Sequence, residues 1–244
     1  MIQKTILWAL GLFDHSYQKK WIRFLNNNKY NKFELLIDIG AHKGESIELF
    51  SKNFFIKKII SFEASPINFK YLKKKIEKNK QAHKNTEIIL ENIALGAEDK
   101  ITEFKQFEES SSSTINNIDE VSKYYKRKFR LINFLNNKKI YETIQIKISK
   151  LKDYIEKNNI KKIDFMKIDT EGYEFEILLG LENKIQLVDI IMFEHHYDNM
   201  IKKGYTFEDI NELLIKNHFN KIYKSKMPFR KTFEYIYKRE GSIN

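Results

Sequence analysis

The sequence predicts an α/β fold: a mostly parallel sheet with helices on both faces. Short continuous apolar runs recur along the chain, several of them closed by a glycine or an acidic residue, as strands buried on both faces of a parallel sheet require. Between them lie stretches whose apolar residues follow helical spacing. The two kinds alternate, and that alternation builds parallel strands joined by right-handed helical crossovers.

Residues 1–32 read as an N-terminal helical extension ending in the polar stretch Asn26, Asn27, Asn28 and Lys29. Its apolar run, Ile6 to Phe13, is too short for a bilayer-spanning helix of about 20 residues. No small-x-small cleavage site follows, so no export is expected and the chain is placed in the cytoplasm. Packing of this helix on the domain is favoured over a membrane-surface anchor. Phe33 to Ile39 is the first strand, ended by Gly40, and Glu45 to Phe50 follows with helical spacing. Lys58 to Phe62 is the second strand, ended by Glu63. Pro66 suits the first turn of the next helix, which carries Phe69, Tyr71, Leu72 and Ile76. Its lysines, Lys70 to Lys80, read as a solvated face. Glu87 to Leu90 is the third strand.

From about 97 to 150 the alternation breaks. This stretch holds the serine run Ser110 to Ser113, a basic helical piece, and Glu142 to Ile148. It lacks a core of its own and reads as an insertion at the working edge of one domain, residues 33–244. The alternation then resumes with a strand at Ile163 to Ile168, a helix at Phe175 to Leu179, a strand at Val188 to Phe193 and a helix at Phe207 to Ile215. Phe219 to Tyr223 and Thr232 to Tyr237 read as a closing hairpin, with Phe233, Tyr235 and Tyr237 in alternation.

Composition narrows the function classes. Of 244 residues, 42% are hydrophobic and 14% aromatic, which excludes disorder as the main state. Forty-four Lys and Arg against 33 Asp and Glu leave +11, a field that favours a phosphate-bearing small molecule, nucleic acid or an acidic membrane surface. There is no Cys, so a disulfide scaffold, a thiolate nucleophile and Cys-ligated zinc or iron–sulfur sites are excluded.

Gly40, Gly44, Gly96, Gly172 and Gly180 fall near strand-to-helix turns, where glycine allows close backbone approach to a ligand. Ligands in open α/β sheets bind outside the carboxyl ends of the strands. In Asp38-Ile39-Gly40-Ala41-His42-Lys43-Gly44 the spacing is Gly-x-x-x-Gly, unlike a dinucleotide fingerprint. It suits a ligand lying across the loop. Glu63, nineteen residues after Gly44, can accept both hydroxyls of a ribose.

These blocks, with Phe62-Glu63-Ala64-Ser65-Pro66, Asn92 to Gly96, Lys167-Ile168-Asp169-Thr170-Glu171-Gly172-Tyr173-Glu174, Leu179-Gly180 and Phe193-Glu194-His195, resemble the class I S-adenosylmethionine-dependent methyltransferases and, within them, the FkbM family. The resemblance spans residues 33–200, and the Lys-Ile-Asp-x-Glu-Gly-x-Glu block is its most specific part. It implies a Rossmann-like seven-stranded sheet whose last strand is antiparallel. It implies S-adenosyl-L-methionine as cofactor, bound by Asp38, Gly40, Ala41, His42, Gly44, Glu63, Ala64, Asn92 and Asp169. It also implies methyl transfer, usually to oxygen and often on sugars or polyketide products. The long basic insertion departs most from a compact member.

Methyl transfer from a sulfonium leaves the protein to position an acceptor and take its proton. The strand ends offer Asp169, Glu171, Glu194, His195 and His196. Histidine titrates nearest neutrality. Adjacent strand residues point to opposite faces, so only one of His195 and His196 faces the acceptor. His195, directly after Glu194, is the expected base, with Asp169 and Glu171 as further catalytic residues. A packing role for either histidine is weighed equally. Ser112, Ser113, Glu194 and His196 are expected to contact the acceptor, although the serine run is equally an ordinary loop. Glu174 reads as a first-turn helix acid. No metal motif fits these spacings, and a metal-free reaction is expected.

The function expected is O-methylation of a sugar hydroxyl in a bacterial surface glycan, capsule or lipopolysaccharide. The acceptor is a small molecule or glycan, nucleotide-linked sugars included. Homo-oligomerisation is open, and neither specific nucleic acid nor a transmembrane segment is expected. The rivals are an RNA methyltransferase of similar fold and a non-catalytic cofactor- or nucleic-acid-binding module. The chain lacks the Asn/Asp-Pro-Pro-Tyr/Phe block expected when a base nitrogen is the acceptor, and its strand-end acids count against a non-catalytic module.

Overall fold

A computed structural model describes residues 17–107, 113–123, 125–126, 141–198, 200–228 and 230–242. The run Ile6 to Phe13, Ser110 to Ser112 and residues 127–140 lie outside them.

The main sheet has seven strands. At its centre is β1 (Lys32–Ile39), flanked on one side by β2 (Phe55–Phe62) and β3 (Glu87–Glu91) and on the other by β8 (Ile163–Ile168) and β9 (Val188–His196). These five run parallel. β12 (Thr232–Arg239) pairs antiparallel with β9, and β11 (Phe219–Lys226) closes the edge antiparallel to β12. The expected seven-stranded sheet with its last strand reversed is therefore present, and its closing hairpin is β11–β12.

β1 and β2 share one burial pattern: each starts exposed and ends in four buried residues, Leu36–Ile39 and Ile59–Phe62. The carboxyl ends are thus the covered ends, and the polar Asp38 and Ser61 are buried with them. Alternation sends successive side chains to opposite faces. Leu36, Ile59, Phe165, Met192 and Ile236 meet the face covered by α1 (17–27), α2 (Glu45–Asn53) and α3 (Pro66–Lys78). Ile37, Ile60, Met166, Ile191 and Phe193 meet the face covered by α4 (Leu151–Lys157), α5 (Glu174–Leu179) and α6 (Phe207–Lys216). α1 is fixed by Trp21, whose ring lies 5.4 Å from that of Phe50 and 6.2 Å from that of Phe54. α3 begins at Pro66 behind a Ser65 cap that accepts the Asn68 N–H at 3.0 Å, and α6 begins behind a Thr206–Asp209 capping box. Among the described residues no helix is long and apolar enough to cross a membrane.

Between Gly96 and Leu151 the alternation gives way to strands. β5 (Lys100–Phe107) and β7 (Tyr141–Ser149) form an antiparallel ladder, with β4 (Ala94–Leu95) parallel to β7. Phe104, Ile146 and Ile148 join the core beneath the main sheet. β6 (Asn117–Ile118) pairs with β10 (Ile201–Lys202), over a small cluster of Phe107, Tyr125, Met200 and Ile201. Gly96 and Gly180 serve packing rather than a ligand: a Cβ on Gly180 would fall 2.0 Å from the Gly96 carbonyl oxygen.

Candidate active site

Two loops meet where β1 and β8 end. In the first, Gly40, His42 and Gly44 have φ of 83°, 49° and 87°, the left-handed region that glycine adopts without steric cost. The Gly40 and Ala41 N–H groups both donate to the Phe62 carbonyl. In the second, Glu171 and Gly172 have φ of 52° and 93°. A Cβ on Gly40 would sit 1.9 Å from the Asp169 carbonyl oxygen. The space glycine frees there is filled by the neighbouring loop, so Gly40 brings the two loops together.

Glu63 follows β2 and is 6% exposed. Its Oε2 accepts the His42 N–H at 2.7 Å and its Oε1 the Ser65 N–H at 2.9 Å. The Asn68 side chain is a third donor to this carboxylate, whose two oxygens together offer about four acceptor positions. Burial pushes the Glu63 carboxyl up to about 7, against the two backbone donors. Asn92 Nδ2 donates to the Glu63 carbonyl at 2.7 Å and, at 3.4 Å, to that of Ala64, so Asn92 holds the backbone that presents Glu63. His42 Nδ1 lies 3.2 Å from Glu45 Oε2.

A polar cluster occupies the α1 side of the sheet, built by strand parity. Lys167 and Asp169 share a face of β8 and its exit, and Glu194 and His196 share the same face of β9. Lys167 Nζ lies 3.1 Å from Asp169 Oδ2 and 3.6 Å from Asp38 Oδ1. Ser46 donates to Asp38 Oδ2 at 2.5 Å. His196 Nε2 lies 3.5 Å from Glu171 Oε2 and 3.9 Å from Glu194 Oε2. Its Nδ1 is 3.0 Å from Thr232 Oγ1 and 3.8 Å from Asp198 Oδ2.

The charges act on one another. Burial raises the Asp38 carboxyl, with Lys167 and Ser46 opposing. Burial, then Asp169, Glu234 and Glu171, hold the Glu194 carboxyl well above the usual carboxylate range. Burial opposes the charge on Lys167, but Asp169, Asp38 and Glu194 keep its ammonium above the ordinary value. Burial likewise opposes the charge on His196, but Glu171, Asp198 and Glu174 raise it to about 9. Among the described residues no three His, Asp or Glu converge closely enough to hold a metal ion.

His195 turns to the other side of the sheet. It is 3% exposed and lies among the rings of Tyr197, Tyr205 and Phe207, with centroids at 4.7, 5.9 and 5.8 Å. Burial, the Lys203 ammonium and His196 lower it to about 3. Asp169, Glu171, Glu194 and His196 come together, then, and His195 stands apart. Ser113 accepts the Phe107 N–H at 3.0 Å, closing its own loop, and Ser112 lies outside the described residues.

Lys167, the first residue of the most specific block, is the cation between the carboxylates; two further residues join this site without having stood out in the sequence. Glu234, 4% exposed, faces Glu194 across the β9–β12 register. Tyr17 of α1 donates to the Ser225 carbonyl at 2.9 Å, and burial, then Glu234 and Glu194, hold its phenol above the ordinary value. An acid inside the closing strand, opposite in parity to Tyr235, was the available signal for Glu234. Nothing local marks Tyr17.

A family model described as "Methyltransferase FkbM domain" matches residues 38–223. Among solved structures, the methyltransferase FkbM from Methylobacillus flagellatus KT superposes with a TM-score of 0.55 at 15% identity, covering 84% of this chain and 43% of that one. The chain thus spans under half the length of that protein. Magnesium protoporphyrin IX methyltransferase (ChlM) from Synechocystis PCC 6803, with bound SAM, gives a TM-score of 0.52 at 9% identity over 94% of this chain and 81% of that one. A protein in the NADB-Rossmann superfamily from Streptococcus agalactiae gives 0.50 at 13% identity over 93% and 69%. These are likenesses of fold. No curated protein matches the sequence.

Proposed function

The chain belongs to the FkbM methyltransferase family, whose methyl donor is S-adenosylmethionine, and from that premise we propose that it methylates a sugar hydroxyl during assembly of a bacterial surface polysaccharide, in the cytoplasm. The observation that carries this reading is the pairing of His196 with Glu171, 3.5 Å apart at the strand ends, beside the loop that Gly40 closes.

The residues suit the cofactor. Glu63 is a buried carboxyl with His42, Ser65 and Asn68 as donors, and we assign it to the ribose hydroxyls. With Glu63, the residues that would hold the cofactor are Asp38, Gly40, Ala41, His42, Gly44, Ala64, Asn92 and Asp169. When bound, S-adenosylmethionine supplies a methyl group already activated on a sulfonium. What remains for the protein is the acceptor's proton, since an alcohol is a poor nucleophile until a base takes it. We place that role on His196 rather than His195. Glu171 at Nε2 and Asp198 at Nδ1 favour the protonated form of the His196 imidazole, so in the neutral imidazole the acceptor hydroxyl would have to take the place of one of these neighbours to hand over its proton. Glu194 and Asp169 offer acceptors to neighbouring hydroxyls of a sugar. No step calls for a metal ion.

Calorimetry with S-adenosylhomocysteine tests the cofactor half, and the absence of binding would end the reading. Transfer of labelled methyl from S-adenosylmethionine to sugar acceptors, nucleotide-linked sugars first, tests the other half. Label that stays in water-sensitive esters rather than stable ethers would move the acceptor from hydroxyl to carboxyl.

A further inference from the structure

The turn carrying Glu171 is clamped from two sides. From the inserted segment, Thr114 Oγ1 donates to the Glu171 carbonyl at 2.9 Å, and Asn116 Nδ2 donates to the Gly172 carbonyl at 2.5 Å. From α5, Glu174 Oε1 accepts the Thr170 N–H at 3.2 Å, the Thr170 hydroxyl at 3.2 Å and the Gly172 N–H at 3.0 Å. Its Oε2 accepts the Tyr205 hydroxyl at 2.5 Å. Glu174 is 1% exposed, so it is a buried template for the turn and more than a first-turn helix acid.

The clamp is itself anchored. Thr114 exchanges both backbone hydrogen bonds with Lys105 of β5. Residues 117–118 pair with 201–202. A Cβ on Gly172 would meet Ile201 at 2.8 Å and Asn116 at 3.0 Å, so the turn is enclosed by these two segments. The left-handed φ of Glu171, 52°, is one a non-glycine residue holds only when its surroundings impose it.

We infer that the inserted segment is a positioning element for the reaction: Thr114 and Asn116, working against Glu174 and Tyr205, hold Glu171 beside His196. This rests on the methyltransferase reading for its catalytic meaning, but its geometry stands independently. His196 is faced by Glu171 from the turn, Glu174 from α5, Glu194 and Asp198 from β9 and its exit, and Thr232 from β12. Lys203 donates to its carbonyl. Glu171 is the leading charge favouring the imidazolium, so its position is readable in the titration of His196.

The test follows the His196 ring proton by NMR across pH in the cofactor-free chain. The wild type should titrate near 9, and Glu171→Gln should lower the midpoint by about one pH unit or more, as loss of an opposite charge at this range does. Thr114→Val, nearly isosteric, should lower it in the same direction, and Asn116→Ala should add to the fall. Thr114→Ser, which keeps the hydroxyl, should restore the wild-type midpoint. Tyr205→Phe leaves the Glu174 charge in place and should act like Thr114→Val. An unmoved midpoint in Thr114→Val and Tyr205→Phe, with native spectra, would overturn the clamp. So would an unmoved midpoint in Glu171→Gln. Calorimetry with S-adenosylhomocysteine on the same wild-type sample separates the two readings: failure there sinks the methyltransferase reading and leaves the titration to decide the clamp.

Discussion

On the proposed reading Glu63 accepts both ribose hydroxyls as a carboxylate, yet burial raises it from 4.5 to about 7. In the free protein it is protonated below that pH. Cofactor binding favours the ionised form, so affinity for S-adenosylhomocysteine should rise with pH through about 7 and level off above it. Glu63→Gln should remove that step and weaken the plateau by about 2–4 kcal/mol, tens- to hundreds-fold, the value of a buried charge-assisted pair. Calorimetry at pH 6 and 8 checks both; a pH-independent wild type would take Glu63 out of the role. His196 carries the second prediction at this scale. Its folded value, about 9 against an unfolded 6.5, means its contribution to stability is present below 6.5 and lost as pH rises through 9. As the proposed base His196 acts in its neutral form, so turnover should climb with pH toward 9 while stability declines. His196→Ala should lower turnover by about 10²–10⁴-fold, and His195→Phe, in its aromatic surroundings, should leave turnover near normal. Loss of turnover in His195→Phe with the fold intact would return the role to His195. Sequence alternation says the two histidines oppose each other. Which one meets Glu171 depends on a turn of positive φ, and no spacing encodes that.

Among the elements, α1 is structural. Trp21 is 2% exposed and packs on Phe50 and Phe54, so α1 is joined to the sheet's own core. Trp21→Ala should cost about 3–5 kcal/mol, read as a fall in the denaturation midpoint with an unchanged slope; a loss below about 1 kcal/mol would mean α1 is peripheral. The parallel strands were legible because burial on both faces writes them as unbroken apolar runs: Leu35-Leu36-Ile37 and Ile59-Ile60 cannot sit at a surface. Residues 163–168 match the expected strand at both ends. β5 and β7 carry no clear strand signal in the sequence, because half of each faces outward. Lys100 to Phe107 reads Lys-Ile-Thr-Glu-Phe-Lys-Gln-Phe, with only Phe104, Gln106 and Phe107 buried, and its charges imitate a loop. The clamp on Glu171 was invisible for the same reason, since Thr114 and Asn116 act through a pairing between residues 117–118 and 201–202 that is remote in sequence.

Across the whole molecule, charge is unevenly placed, and the imbalance bears on the acceptor. The chain carries +11 overall, and α3 turns Lys70, Lys73 and Lys74 to solvent beside the exposed Ile67 and Tyr71. The strand-end cluster is the reverse: Asp38, Asp169, Glu171, Glu194 and Glu234 gather around Lys167 and His196. Those of the cluster's carboxyls that are ionised repel a phosphate backbone, while those that burial holds neutral still bond hydroxyls, and weak screening in a covered site sharpens the repulsion. On the proposed reading the acceptor is a neutral polyhydroxyl ring, and any phosphate of a carrier is expected to lie away from these carboxyls. Labelled methyl should therefore enter sugar acceptors and not total RNA, and transfer should fall only modestly between 50 and 200 mM salt. An RNA substrate held by several phosphate contacts would instead lose about 10³–10⁵-fold in affinity over that range. Stable incorporation into RNA with that steep dependence would overturn the sugar reading while keeping the methyltransferase. Reversing the exposed lysines of α3 would then abolish transfer, whereas for a sugar acceptor it should leave kcat unchanged and raise KM only for phosphate-bearing carriers.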